Sequence, residues 1–273
     1  MSGANSVHCS AAAIAFDRVA DSYDELFTRT AIGRAQRAPV WTELLKVFHD
    51  GERILELNCG TGEDARFLAQ NGRFVTACDA SAGMIAVATS QPAIEPGSGA
   101  IRYLQIANEE LHRLPADAPY DGAFSNFSGL NCIADWPAFA QSVASAVRPG
   151  GRVLLCLWSR ICLAEIAWFL ARGQFKKAFR RFADKPTAKL GGLTVPISYP
   201  SISRIERDLL PWFSLEKRKA VGLFVPPSYV EPWAQKNRKS LAQLEKLDSI
   251  FAQWPILQDL GDHVLLQFVR CSQ

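Results

Sequence analysis

The sequence predicts a doubly wound α/β fold, a seven-stranded and mostly parallel sheet with helices on both faces. Three observations carry that prediction. Five short β-rich runs alternate with helical segments between residues 53 and 158, the rhythm that right-handed crossovers impose on a parallel sheet. The first run enters a glycine turn, Gly60-Thr61-Gly62, that opens a helix. The chain has 273 residues, 48% hydrophobic and 21% charged, enough apolar surface for one large packed domain.

In chain order, residues 13–50 read as helical and end in the turn His49-Asp50-Gly51, giving an N-terminal helical cap over 1–50. Residues 51–159 form the core. Its strands are expected at 53–58, 73–79, 101–106, 121–126 and 152–158, with helices after Gly62, after the capping Ser81, and over 136–147. Arg148-Pro149-Gly150-Gly151 is a sharp turn into the fifth strand. The rhythm then changes. Residues 160–212 are expected to form a helical lid insertion, basic and amphipathic over 161–182. There Phe175, Phe179 and Phe182 recur at helical spacing among Arg172, Lys176, Lys177, Arg180 and Arg181. Residues 213–273 complete the sheet and lid, and the last strand, 264–269, is expected to run antiparallel.

Several classes are disfavoured. A net charge of +3 gives no reason to expect nucleic acid as a partner. The opening Met1 to Ser10 has no basic region, and the apolar run 11–16 is too short for a secretion signal. No stretch approaches the roughly 18 apolar residues of a membrane span. The seven cysteines lack a CxxC pair and read as reduced thiols of a cytoplasmic protein, and the four scattered histidines suggest no metal site.

The chemistry concentrates at residues 54–64. Glycines let the backbone turn sharply and let a ligand lie against it with no Cβ between. A lone Gly-x-Gly is weak evidence, and the third glycine of a dinucleotide fingerprint would fall on Ala65. Asp79, closing the second strand, can accept both hydroxyls of a ribose, which fits a nucleotide cofactor of either kind. After the third strand, Asn108 and Glu109 can meet an adenine amino group, and the fourth strand ends at Asn126-Phe127.

In order, Leu55-Glu56-Leu57-Asn58-Cys59-Gly60-Thr61-Gly62, Cys78-Asp79-Ala80-Ser81-Ala82-Gly83-Met84, Asp121-Gly122-Ala123-Phe124-Ser125-Asn126 and Val147-Arg148-Pro149-Gly150-Gly151 resemble the class I S-adenosylmethionine-dependent methyltransferases. Within them the chain looks most like the group with the ubiquinone/menaquinone and biotin-pathway enzymes, whose opening segment is similar to residues 15–24. The resemblance spans about 14–158. It implies the Rossmann-like methyltransferase fold, S-adenosyl-L-methionine as cofactor and a small-molecule acceptor. It implies that Gly60, Thr61 and Gly62 lie beneath the methionyl part, that Glu56 orients its amino group, and that Asp79 binds the ribose. Ala80 and Met84 would flank the adenine, Asn126 and Phe127 line the pocket beside the sulfonium, and Tyr23 close over it. Two positions depart from the group: Asn58 stands where glycine is usual, and Asn108 where aspartate is common.

The acceptor is less legible. His112 and His263 are candidate general bases, each with a structural role as the simpler reading. The segment 161–182 suggests an apolar or anionic acceptor, or contact with a membrane surface or lipid-like substrate. A nicotinamide-dependent oxidoreductase and a non-catalytic S-adenosylmethionine-binding regulator are the alternatives.

Overall fold

The computed structural model describes residues 10–95, 98–115, 119–127 and 129–272. The opening segment, except Ser10, and part of the loop expected at 91–99 therefore lie outside the described residues.

Five strands, β1 (Arg53–Leu57), β2 (Phe74–Asp79), β3 (Ala100–Gln105), β4 (Tyr120–Ser125) and β5 (Val147–Trp158), are joined late in the chain by β8 (Phe213–Val221) and β9 (His263–Arg270). The order is β3-β2-β1-β4-β5-β9-β8. β1 to β5 pair parallel, while β9 runs antiparallel to both β5 and β8. The expected seven-stranded sheet with its antiparallel last strand is therefore present. β5 begins at Val147, ahead of the expected 152, so the Pro-Gly-Gly turn is an irregular stretch inside the strand. Gly151 is needed there because a Cβ would come within 2.5 Å of the Asp121 carbonyl oxygen.

Alternation along each strand sends side chains to two cores. Leu55 and Leu57 face α6 (Trp136–Ala146) and α9 (Ile202–Leu209), in a core with Trp136, Phe139, Ile205 and Phe213. Ile54 faces α3 (Ala31–Val47) and α4 (Glu63–Gln70), in a core with Val40, Leu44, Phe48 and Leu68. Before α3 come α1 (Ala11–Asp17), α2 (Ala20–Tyr23) and a π-helical turn, Asp24–Thr28. α5 (Ala82–Ser90) starts at Ser81, whose hydroxyl accepts from Met84 N. The C-terminal helices α10 (Glu231–Lys236) and α11 (Arg238–Phe251) reach back to α3, where Glu231 accepts from the first-turn amides of Ala31 and Ile32, both at 2.9 Å.

The segment expected as one basic amphipathic helix is three short pieces: α7 (Leu163–Leu170), α8 (Phe175–Ala178) and a 3-10 turn, Arg180–Phe182. Gly173, at φ 68°, ends α7, with Gln174 N donating to Phe169 O. Nor is its basic face free. Glu165 binds both Arg180 and Arg181, and Arg181 is buried. Phe175, Phe179 and Phe182 are exposed rather than folded over a cavity. In the Pro/Gly-rich stretch that follows lies a hairpin, β6 (Thr187–Leu190) and β7 (Leu193–Pro196), turned by Gly191 and Gly192 at φ 55° and 75°. It rests on α1: Arg18 Nη1 donates to Gly191 O, and a Cβ on Gly191 would come within 2.6 Å of the Ala15 carbonyl oxygen. α9 packs on α6 and leads into β8.

Candidate active site

The glycine turn sits at the C-terminal end of β1, where an open α/β sheet offers a crevice. Asn58 takes a left-handed backbone at φ 57°, and Gly60 and Gly62 follow at 54° and 80°. Asparagine is among the few side chains that tolerate this conformation, so the departure at Asn58 keeps the turn. A Cβ on Gly60 would meet nothing within 4 Å, because the space beyond it is a cavity. A Cβ on Gly62 would strike Tyr103 Oη at 2.6 Å, so that glycine supports the turn from behind.

Asp79 braces the turn across β2. Its Oδ2 accepts from Gly60 N at 2.9 Å and its Oδ1 from Ser81 N at 2.8 Å. Burial raises its carboxyl above the ordinary range against these backbone donors. From α1, Asp17 Oδ1 accepts from Ser81 Oγ and Gly83 N, tying the N-terminal cap to the rim. Thr61 Oγ1 donates to Asp24 Oδ1 at 2.6 Å, tying the π-helical turn to the same loop.

The cavity is about 290 Å³. Tyr23, Asn58, Gly60, Thr61, Asp79 and Ala80 line it, as do Met84, Glu109, Asn126 and Phe127. Three other candidates stand off its wall. Gly62 lies behind the turn, Asn108 donates to Asn58 Oδ1 at 3.4 Å, and Glu56 is buried beneath with Oε2 unpartnered. Burial pushes the Glu56 carboxyl well up, with Asp64 adding to it. Burial likewise pushes the Tyr23 phenol up to about 12.

The sequence reading missed the cluster at the base of the cavity. Asp64 Oδ2 accepts from Arg37 Nη1 at 2.6 Å and from Asn126 Nδ2 at 3.0 Å, and its Oδ1 accepts from Trp41 Nε1 at 2.6 Å. Arg37 lines the cavity, its guanidinium 4.7 Å from the Phe127 ring centroid, and its Nε is buried without a partner. A signal for this polar wall existed in α3, where Gln36 interrupts the four-residue step of Ile32, Val40 and Leu44 and Arg37 follows it.

A second cavity of about 340 Å³ adjoins the first, sharing Phe16, Tyr23, Phe127, Cys132 and Val195. Phe127 forms the partition. It holds a left-handed φ of 48° and meets Phe27 at 5.0 Å and His263 at 5.4 Å, edge to face in both pairs. Trp158 and Leu190 complete the wall with Val19 and Leu26, so α1, α2 and the hairpin roof it. No residue of 161–182 lines either cavity. Of the two candidate bases, His263 lines the second cavity and His112 is exposed beside neither.

These residues fit a nucleoside cofactor carrying an amino acid. There is open space over Gly60, a carboxylate at the end of β2, and two buried polar atoms, Arg37 Nε and Glu56 Oε2, without partners. Comparison with known proteins agrees. A family model described as a methyltransferase domain matches residues 54–151. Malonyl-[acyl-carrier protein] O-methyltransferase of Serratia marcescens is 32% identical over 77% of this chain and 80% of its own. Demethylmenaquinone methyltransferase of Thermobifida fusca is 28% identical over 63% of this chain and 73% of its own. The crystal structure of a putative S-adenosylmethionine-dependent methyltransferase from Listeria monocytogenes superposes with a TM-score of 0.58 at 17% identity, covering 86% of this chain and 98% of that one. The chain is an S-adenosylmethionine-dependent methyltransferase, and it belongs to the class I family of those enzymes.

Proposed function

We propose that the enzyme methylates an apolar, ring-bearing acceptor, neutral or monoanionic, held in the second cavity. The observation that carries this reading is its wall of six rings, Phe16, Tyr23, Phe27, Phe127, Trp158 and His263, with the exposed Lys189 at its rim. Flat aromatic surfaces stack on such walls, and one cation selects an anion over an amine. S-adenosylmethionine, when bound, supplies a methyl group already activated on a sulfonium. The chain therefore has to bind, align and exclude water. Asp79 takes the ribose hydroxyls, Met84 and Ala80 flank the adenine, and Arg37 receives the methionyl carboxylate. Asn126 and Phe127 separate donor from acceptor, and Tyr23 closes the joint roof. Incubation with methyl-labelled S-adenosylmethionine and naphthol, naphthoate or tyramine tests the acceptor class. Label should enter the first two; label in tyramine alone contradicts the reading. Label in no acceptor, with cofactor bound, also contradicts this reading of the acceptor class.

We also propose that the surface of α7 and α8 touches an anionic membrane. What supports this is Phe175, Phe179 and Phe182, 65%, 51% and 44% exposed, set among Lys176, Lys177 and Arg172. Each basic residue near such a surface contributes about 1 kcal/mol, screened by salt. Co-sedimentation with phosphatidylglycerol vesicles should fall in Phe175→Ser/Phe179→Ser and in Lys176→Gln/Lys177→Gln, and in high salt. Binding unaffected by all three leaves an ordinary solvated face. Among the described residues no helix is long and apolar enough to cross a membrane. A cytoplasmic location is supported by the six described cysteines, all free thiols.

A further inference from the structure

The second cavity has a polar corner that packing an apolar ring does not require. His263 opens β9 at the C-terminal edge of the parallel strands, paired with Trp158 and Val221. Its ring is buried against Phe127 and Trp158. Nδ1 is buried without a hydrogen-bond partner, and Asp262 Oδ2 stands 3.5 Å from it. Asp262 is itself held. Its Oδ1 accepts from Arg181 Nη2 at 2.5 Å and its Oδ2 from Gln36 Nε2 at 3.0 Å. Arg181 in turn donates to Glu165 and to the carbonyls of Ser159 and Asp262. An ion pair this deep costs more desolvation than a core needs for stability alone.

We infer that His263 is the general base for a hydroxyl acceptor, with Asp262, clamped by Arg181, as its positioning residue. This rests on the second cavity being the acceptor site. The carboxylate beside Nδ1 keeps the ring proton there, which leaves the Nε2 lone pair for the cavity. The acceptor oxygen forms its bond to the methyl carbon as the carbon–sulfur bond breaks, that electron pair staying on sulfur. The hydroxyl proton passes to Nε2 and then to solvent.

Among the described residues, the charged and titratable groups that line the cavity with the ring are Asp262, Lys189 from β6, Tyr23 from α2 and Cys132, and Arg181 acts on it from the 180–182 turn. Burial pushes the imidazole down to about 4, so the ring is neutral and free to accept a proton at neutral pH. A weak base suffices, because the hydroxyl becomes a strong acid while its oxygen gains the methyl group.

The test compares naphthol with naphthalenethiol, whose thiol ionises near neutral pH without help. His263→Gln should lower kcat on naphthol about a hundredfold or more. It should change kcat on the thiol far less and leave adenosylhomocysteine affinity unchanged. Wild-type kcat on naphthol should be flat from about pH 5 to pH 8, while that of the variant climbs with pH as the acceptor ionises itself. Equal losses on both acceptors with parallel pH profiles overturn the inference, as does undiminished turnover of naphthol. Should the variant fail to fold, the wild type decides. A normal solvent deuterium isotope effect on single-turnover methylation of naphthol supports the inference, and its absence overturns it. Methylation of neither probe, with adenosylhomocysteine still bound, defeats the acceptor-site reading instead.

Discussion

Asn58 and Phe127 are the two non-glycine residues with a left-handed backbone among the described residues, and both line the first cavity. Strain of this kind costs about 1–3 kcal/mol and persists where the surroundings over-determine it. At Phe127 the surroundings are visible. Asn126 Oδ1 accepts from Phe127 N at 3.0 Å, Arg37 lies over the ring, and Phe27 and His263 meet it edge to face. The strained residue holds the partition between the two cavities in place. Asp79 shows the same economy, since one carboxylate both braces Gly60 and faces the cavity. Asp79→Ala removes charge-assisted hydrogen bonds worth about 1.5–3 kcal/mol. Affinity for adenosylhomocysteine should therefore fall about tenfold or more with the fold retained, as calorimetry and circular dichroism would show. An unchanged dissociation constant would contradict the ribose assignment.

At the scale of elements, α3 joins the parts. Its N-terminus is capped by Glu231 of α10, its middle supplies Arg37 to the first cavity and a Gln36 hydrogen bond to Asp262 of the second, and its C-terminal half is pinned to β8 through Glu43. Lys217, Lys219 and Lys46 all donate to that carboxylate, at 2.9–3.0 Å. Burial would raise its pKa, but the three lysines pull it down from 4.5 to about 2. Because the folded value is depressed, the stabilisation is fully present above about pH 4.5 and is lost as pH falls through about 2. Glu43→Gln should cost about 2 kcal/mol at neutral pH, allowing for solvent screening. The gap from wild type should close on acidification. Urea midpoints at both ends of that range check it, and a gap constant down to about pH 2 would show that charge is not its source. The hairpin of β6 and β7 acts at this scale too, closing the second cavity from above through its contact with α1.

For the whole molecule, the sheet was legible because its strands alternate with helices at regular spacing and its glycine turn is marked by residue type. The acid at the end of β2 was legible for the same reason, since Asp79 closes its strand in the chain as it does in space. The roof was not. β6 and β7 are four residues each and lie among Pro186, Gly191, Gly192, Pro196 and Pro200, too short to show a period and masked by turn-forming residues. Residues 161–182 read as one amphipathic helix because the apolar spacing continues through Gly173, whereas the buried Glu165 draws Arg180 and Arg181 back and breaks the run. Arg37 and His263 reach the site only through tertiary folding. His263 follows a Gly-Asp turn in the chain but lies beside Trp158 of the fifth strand in space. One cavity, built on Gly60, Asp79 and Arg37, is expected to select S-adenosylmethionine over a dinucleotide. The most direct test of this selectivity is titration calorimetry of the purified protein with adenosylhomocysteine and with NADH. Saturable one-site binding of adenosylhomocysteine with no heat from NADH is expected. Tight NADH binding with no response to adenosylhomocysteine would contradict it.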